Sequence, residues 1–263
     1  MFKSGRNFLI FGLLTIICQF SRAQEVMAFE FKVSPFALYE QGKENIYIKG
    51  VRTKYGLGVL GVAGEAMLGS DFNVRGRLGY GYHPNARISL SLEGREIAVT
   101  GPVEGIYLEA SMDYLFLSRP IYSLTSELRF ITRNIDAQDL AGFVGSRAIT
   151  GTAVNDFDTL DLMIEAKFPI GKKAFVNIAG GLSQWNLKTT ATAYSATGGA
   201  GPIRCPCSQT KKIDTTSVDP VMGVSISSNN PLHNFDFEFY NRSLKSKAGT
   251  QILGIELEYM LKF

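Results

Sequence analysis

Leu253-Gly254-Ile255-Glu256-Leu257-Glu258-Tyr259-Met260-Leu261-Lys262-Phe263 closes the chain and decides how the rest of it is read. Every second residue back from Phe263 is apolar: Leu261, Tyr259, Leu257, Ile255 and Leu253. The positions between them hold Lys262, Met260, Glu258, Glu256 and Gly254. Side chains of an extended strand alternate between its two faces, so this stretch is a β-strand with one greasy and one largely charged face. The chain stops on an aromatic of the greasy face, where a soluble sandwich would run on into a turn or tail.

The opposite end is read next. Lys3 and Arg6 precede an apolar run from Phe8 to Cys18, and Ser21-Arg22-Ala23 follows it. A positive start, a short apolar run and a small-x-small site make residues 1–23 a secretory signal peptide cleaved after Ala23. The run is too short to span a bilayer as a helix. Cys18 is not a lipoprotein site, because Ile17 stands where a small residue is required. The mature chain is a single domain, residues 24–263.

Three basic residues and no acidic residue leave with the signal, so the formal net charge of +3 falls to zero. A neutral chain without a Lys/Arg cluster offers nothing that would attract nucleic acid. Beyond the signal no apolar run reaches the length of a membrane helix. Hydrophobic residues make up 45% of the chain and alternate with polar ones, the pattern of strands with lipid outside and a polar interior.

Strand patterns follow one another along the chain. Region 26–52 is open and adds none or two. A Gly-rich strand runs from Tyr55 to Met67. Phe72 to Tyr82 and Arg87 to Ile97 form a hairpin turning at His83-Pro84-Asn85-Ala86. Gly105 to Leu117 and Ile121 to Arg133 turn at Ser118-Arg119-Pro120. Thr159 to Phe168 and Ala174 to Leu187 turn at 169–173. Ser217 to Ser227 and Phe235 to Ser243 turn at 228–233, and Gln251 to Phe263 closes the set. Tight turns alternate with the long connections 98–104, 134–158, 188–216 and 244–250. The fold expected is all-β, an antiparallel up-and-down transmembrane β-barrel of about ten strands, with eight to twelve possible. Tyr80, Tyr82, Tyr114, Phe116, Tyr122, Phe168, Phe235 and Phe263 are expected beside the tight turns as an interfacial girdle.

The export signal, Gly79-Tyr80-Gly81-Tyr82-His83-Pro84-Asn85 leading into Ile88-Ser89-Leu90-Ser91-Leu92-Glu93, and the ending Leu257 to Phe263 together resemble the OmpA-like and opacity-type family of small outer-membrane β-barrels. The ending looks like that family's assembly signal, carried by Tyr259, Leu261 and Phe263. The resemblance implies an integral outer-membrane protein of a Gram-negative bacterium. Its implied partners are outer-membrane lipid, lipopolysaccharide and the outer-membrane assembly machinery. That family usually has eight strands, so ten departs from it.

Positions expected to face the lumen carry Arg75, Arg77, Arg129, Lys167 and Arg242 with Glu93, Glu109, Asp113, Glu127, Asp161, Glu165, Asp236, Glu238, Glu256 and Glu258. Opposed charges across so narrow a barrel either pair and close it or line a narrow, polar pore that prefers cations.

Barrel hydrolases need an imidazole near the outer leaflet as proton carrier. Both histidines, His83 and His233, are expected in tight turns at the periplasmic end, so the chain is read as not an enzyme. Cys205-Pro206-Cys207 sits in the connection 188–216 and is read as a local disulfide or two idle thiols, because two ligands fall short of a metal site. No spacing asks for a cofactor. The reading is a non-enzymatic surface protein displaying 134–158 and 188–216 as loops, with a small passive channel as the alternative and a soluble exported sandwich third.

Overall fold

The structure, a computed structural model, describes residues 29–48, 51–92, 95–144, 147–195, 207–229 and 234–260. The signal peptide, Glu93, Cys205, His233, Leu261 and Phe263 lie outside them.

The strands are β1 (Phe29–Gly42), β2 (Ile46–Ile48), β3 (Val51–Lys54), β4 (Gly56–Leu68), β5 (Phe72–Leu92), β6 (Arg95–Arg119), β7 (Tyr122–Val144), β8 (Arg147–Ile170), β9 (Ala174–Ser195), β10 (Cys207–Asn229), β11 (Asn234–Leu244) and β12 (Thr250–Met260). One short helix, α1 (Lys245–Ala248), precedes β12. Among the described residues ten strands close a ring by antiparallel pairing: β4 to β12 in sequence order, with β1 between β12 and β4. β2 and β3 form a hairpin outside the ring, and β3 adds to β5 at residues 87–90. Closure leaves no strand edge inside a bilayer, where an unpaired peptide group finds no water.

The count of ten agrees with the sequence reading, but its members differ. Region 26–52, expected to add none or two, supplies one ring strand, β1, and the expected strand Arg87 to Ile97 is not a separate member, so the total stays ten. His83 to Ala86 is not a turn: β5 runs through it, with Pro84 and Asn85 as a bulge in the ladder to β6. A bulge suspends the hydrogen bonding that proline cannot join, which is why a turn-like composition sits inside a strand. The expected strand Arg87 to Ile97 is thus divided between β5 and β6. The connections 98–104, 134–158 and 188–216 are likewise strand wherever they are described, and not loops. The turns at 118–120 and 169–173 stand close to where they were expected. Gly171 adopts φ 69°, and Gly69 in the β4–β5 turn adopts φ 76°; both lie in a region that suits glycine.

The ring is lopsided. β11, β12, β1 and β4 have 11 to 14 residues, whereas β5 to β10 have 21 to 25. The β4–β5, β6–β7, β8–β9 and β10–β11 turns lie at one end, and the six long strands stand beyond the short ones at the other end as a wall; there only two residues separate β5 from β6 and β7 from β8, so the expected contrast of tight turns at one end with long connections at the other is not kept.

Chemistry changes along the long strands. Over the lower half the outer face is apolar, with Leu60 71%, Leu162 62% and Ile164 58% exposed. At one level it becomes polar: cross-strand neighbours Leu108, Thr132, Asp158, Asn186 and Thr216 form one row, and Ile106, Asn134, Asp156, Lys188 and Asp214 form the next. The interior changes at the same level, from charges below to Val99, Ile135, Phe157, Trp185, Leu187 and Ala191 above. The hairpin adds Ile46, Ile48 and Val51 to that upper core. The expectation of oily side out thus holds for the lower half and is reversed in the upper half. Ile88, expected on a lipid-facing zigzag, is buried inside because the bulge at Pro84-Asn85 reverses the parity of β5.

The aromatic girdle is corrected in the same way. Tyr114, Phe116, Tyr122 and Phe168 lie beside the tight turns, but Tyr80 and Tyr82 lie eight and ten residues further along β5 from Phe72, at the opposite border of the apolar band. Tyr39 joins them there, since Tyr39 and Tyr82 both pair with Gly58. Two girdles therefore bracket the band.

Candidate functional site

The lumen of the lower half holds the concentration of charge that needs explanation. Period-two alternation delivers it: residues 75 and 77 of β5, 109 and 113 of β6, 127 and 129 of β7, 161, 165 and 167 of β8, 236, 238 and 242 of β11, and 256 and 258 of β12 share the inner face. These are the positions read from the sequence as lumen-facing, apart from Glu93, which is outside the described residues.

Arg77 is the hub of the deeper layer. Its guanidinium lies 3.1 Å from Glu109, donates to Glu256 at 3.0 Å and to Glu258 at 2.6 Å, and the arginine is 4% exposed. Arg129 pairs with Glu127 at 2.6 Å and reaches Glu238 at 3.5 Å. Arg75 and Lys32 both hold Glu65, each at 3.4 Å. Asn73 donates to Asp113 at 3.3 Å, and the Lys167 ammonium sits 4.5 Å over the Phe175 ring. Planar guanidinium forks suit several carboxylates at once, which is why arginine dominates here.

A second layer lies just below the apolar core. Glu40 accepts from Arg133 Nε at 2.8 Å, from Tyr55 at 2.5 Å and from Tyr240. Arg242 pairs with Asp161 and donates to Ser183 at 3.2 Å. Arg133 is stacked 5.1 Å from Phe157 and 5.6 Å from Tyr107, and Tyr107 in turn donates to Glu109 at 2.5 Å, tying the two layers together. Glu40, Arg133 and Asp161 have 0% exposure and Arg242 1%. Charges this deep persist only when paired and hydrogen-bonded. Above them Trp185 donates to Asp219 at 2.8 Å, and Ser246 at the start of α1 donates to the same carboxylate. A cavity of about 50 Å³ remains under the hairpin, walled by Ile46, Ile88, Val103 and Phe157 among others.

Glu40, Glu65, Arg133, Tyr55, Tyr107 and Tyr240 were missed from the sequence. Arg133 carried a signal, since it lies two steps of two beyond Arg129 on the same strand. Glu40 was hidden because Phe36 and Leu38, on its own inward face, are as apolar as the outer positions.

His83 is not in a turn at the tight-turn end. It lies in β5 at the far border of the apolar band, opposite Val103, where its Nδ1 accepts from the Asn85 amide at 3.2 Å and its ring covers Gly56. Its expected place in a tight turn is therefore corrected, and the argument against imidazole chemistry loses that premise for His83. Cys207 begins β10, while Cys205 lies outside the described residues, so the thiol pair is not described. Of the terminal assembly signal only Tyr259 is described, exposed on the outer face.

No family model matches the chain, and no curated protein matches it by sequence. Solved structures do. The translocator domain of the autotransporter NalP from Neisseria meningitidis superposes with a TM-score of 0.52 at 10% identity, covering 99% of this chain and 97% of that one. The outer-membrane protease OmpT of Escherichia coli gives 0.45 at 11% identity, over 90% and 97%. OprG of Pseudomonas aeruginosa gives 0.43 at 12% identity, over 90% and 98%. The first of these likenesses is one of fold: the chain has the architecture of a transmembrane β-barrel.

Proposed function

We propose that this chain is a non-enzymatic integral protein of the bacterial outer membrane, with a lumen closed by ion pairs and a working part in the β-sheet wall that stands outside the cell. The apolar band between two aromatic girdles supports the membrane placement, and the six long strands that run beyond the band at one end support an orientation with that end outside and the β4–β5, β6–β7, β8–β9 and β10–β11 turns toward the periplasm. In this reading the band contacts outer-membrane lipid and lipopolysaccharide, and the terminal strand through Tyr259 engages the assembly machinery.

The observation that carries the closed-lumen reading is the Glu40–Arg133–Arg242–Asp161 layer. An ion crossing the barrel would have to pass four charged side chains that are at most 1% exposed and mutually paired, and then an apolar core. Neither layer offers the continuous wet path that conduction requires. The wall supports the second part, because its inside is packed like a soluble domain and its outside is polar, as a rigid display surface requires.

Planar-bilayer recording on the refolded protein tests this. Silence is expected for the native chain; steady single-channel currents from it would overturn the closed lumen in favour of a passive channel. Heat-modifiable migration on a semi-native gel, from the outer-membrane fraction, tests the placement.

A further inference from the structure

Charge is distributed unevenly round the outer face above the membrane band. Three adjacent strands carry acids there: Glu104 on β6, Asp136 and Asp139 on β7, and Asp156 and Asp158 on β8. Among the side chains described on these three strands above the band, no lysine or arginine faces outward. Glu104 and Asp136 are direct cross-strand partners, and like charges so placed repel. Tyr80 donates to Glu104 at 2.5 Å and Asn134 to Asp156 at 2.7 Å, but both donors are neutral. Lys188 of β9, opposite Asp156, marks where the sign changes.

The opposite side is basic. β12 stands five strands from β7 whichever way the ring is followed. At its upper end Lys245 and Lys247 of α1 and Lys43, just past β1, are exposed, with Lys54 of β3 and Lys212 of β10 on their flanks. Glu44 and Asp214 are the exposed acids among them. The Lys43 amide donates to the Gln251 carbonyl at 2.8 Å, which ties it to the start of β12. Both faces lie just above the upper girdle: Glu104 is paired with Tyr82, and Lys43 stands four residues beyond Tyr39. Four residues of a tilted strand climb about 10 Å, so acids and bases occupy one shallow belt.

We infer that the acidic face of β6–β8 is a docking surface for a second copy of this chain, which brings its basic α1 side against it in the same membrane. A bilayer holds both copies upright and at one depth. The two faces therefore meet at the same height, and part of the orientational cost of association is removed in advance. A single exposed ion pair contributes little; here the contact also relieves repulsion within the acidic face. Because the faces differ and lie on opposite sides, the contact is heterologous and leaves one of each uncovered on every pair, so that copies add into rows. The inference rests on the membrane placement and gives the surface-interaction reading a partner.

The test uses the full chain in vesicles of neutral phosphatidylcholine, with donor-labelled and acceptor-labelled copies mixed. Energy transfer should exceed that of copies placed at random and should fall about threefold or more in about 1 M salt, where the screening length is ~3 Å. Lys43→Glu, Lys245→Glu and Lys247→Glu together should abolish it, as should Asp136→Lys, Asp139→Lys and Asp158→Lys together. An equal mixture of the two triple variants should restore it, because the now acidic α1 side of one meets the now basic β7 side of the other. Transfer that is indifferent to salt, survives either reversal, fails to return in the mixture or requires added lipopolysaccharide overturns the contact between copies. Heat-modifiable migration of each variant reports folding and insertion separately, so loss of the contact with that migration retained leaves the membrane reading standing.

Discussion

At the residue scale the interior is governed by arginines that each satisfy several carboxylates. Arg77 gathers Glu109, Glu256 and Glu258 within salt-bridge distance. Replacing it by methionine keeps the volume but leaves three buried carboxylates facing one another. Removing one partner of a buried pair costs about 3–5 kcal/mol, so Arg77→Met should lower the free energy of unfolding in micelles by that order; a loss under about 1 kcal/mol would show that the cluster is not held by Arg77. In the apolar upper core, Trp185 has 0% exposure and its indole N–H is bonded to Asp219. Trp185→Ala should cost about 3–5 kcal/mol from the cavity it leaves, with the same unfolding measurement as the check. These residues differ in how legible they were. The charged residues of the hub declared themselves by alternating with apolar neighbours. Trp185 gave no such sign, because its strand turns from lipid-facing to solvent-facing beside it.

At the element scale, the hairpin β2–β3 belongs to the wall and not to the ring. β1 and β4 pair directly from Phe29–Leu68 to Gln41–Gly56 without it. Replacing residues 43–54 by a short Gly-Ser linker should therefore leave a heat-modifiable barrel in the membrane, while uncovering Ile88 and Phe157 and raising the binding of a dye specific for exposed apolar surface. Loss of heat-modifiable migration in this variant would make the hairpin a structural part of the ring. The bulge at Pro84-Asn85 explains why the sequence pointed to a turn here. His-Pro-Asn-Ala is turn composition, yet a bulge uses the same residues for the same reason: both suspend the ladder where proline has no N–H to offer. Composition marks where pairing lapses and leaves open whether the chain then reverses.

At the scale of the whole molecule, one set of strands serves two solvents. Ile164 and Val154 lie on the outer face of β8, ten residues apart and 58% and 45% exposed. Along an extended strand that is a separation of about 33 Å, enough to place one in hydrocarbon and the other in water. Ile164→Arg should destabilise the folded protein by about 2–4 kcal/mol, and Val154→Arg should stay within about 0.5 kcal/mol of the native chain, both read by unfolding in lipid vesicles. Equal penalties at the two sites would remove the boundary on which the membrane placement depends.

The sequence by itself determined that the chain is an all-β barrel, that its closing strand has one oily face and that charges collect inside. All of these follow from a period of two, which is local and survives without knowledge of any neighbour. Tertiary structure alone decided which expected loops are wall, where the oily face turns from outside to inside, and that Glu40 from β1 meets Arg133 from β7 across the barrel. Alternation reports that a strand has two faces; only the closure of the sheet, with a bulge to reset its parity, determines which solvent each face meets.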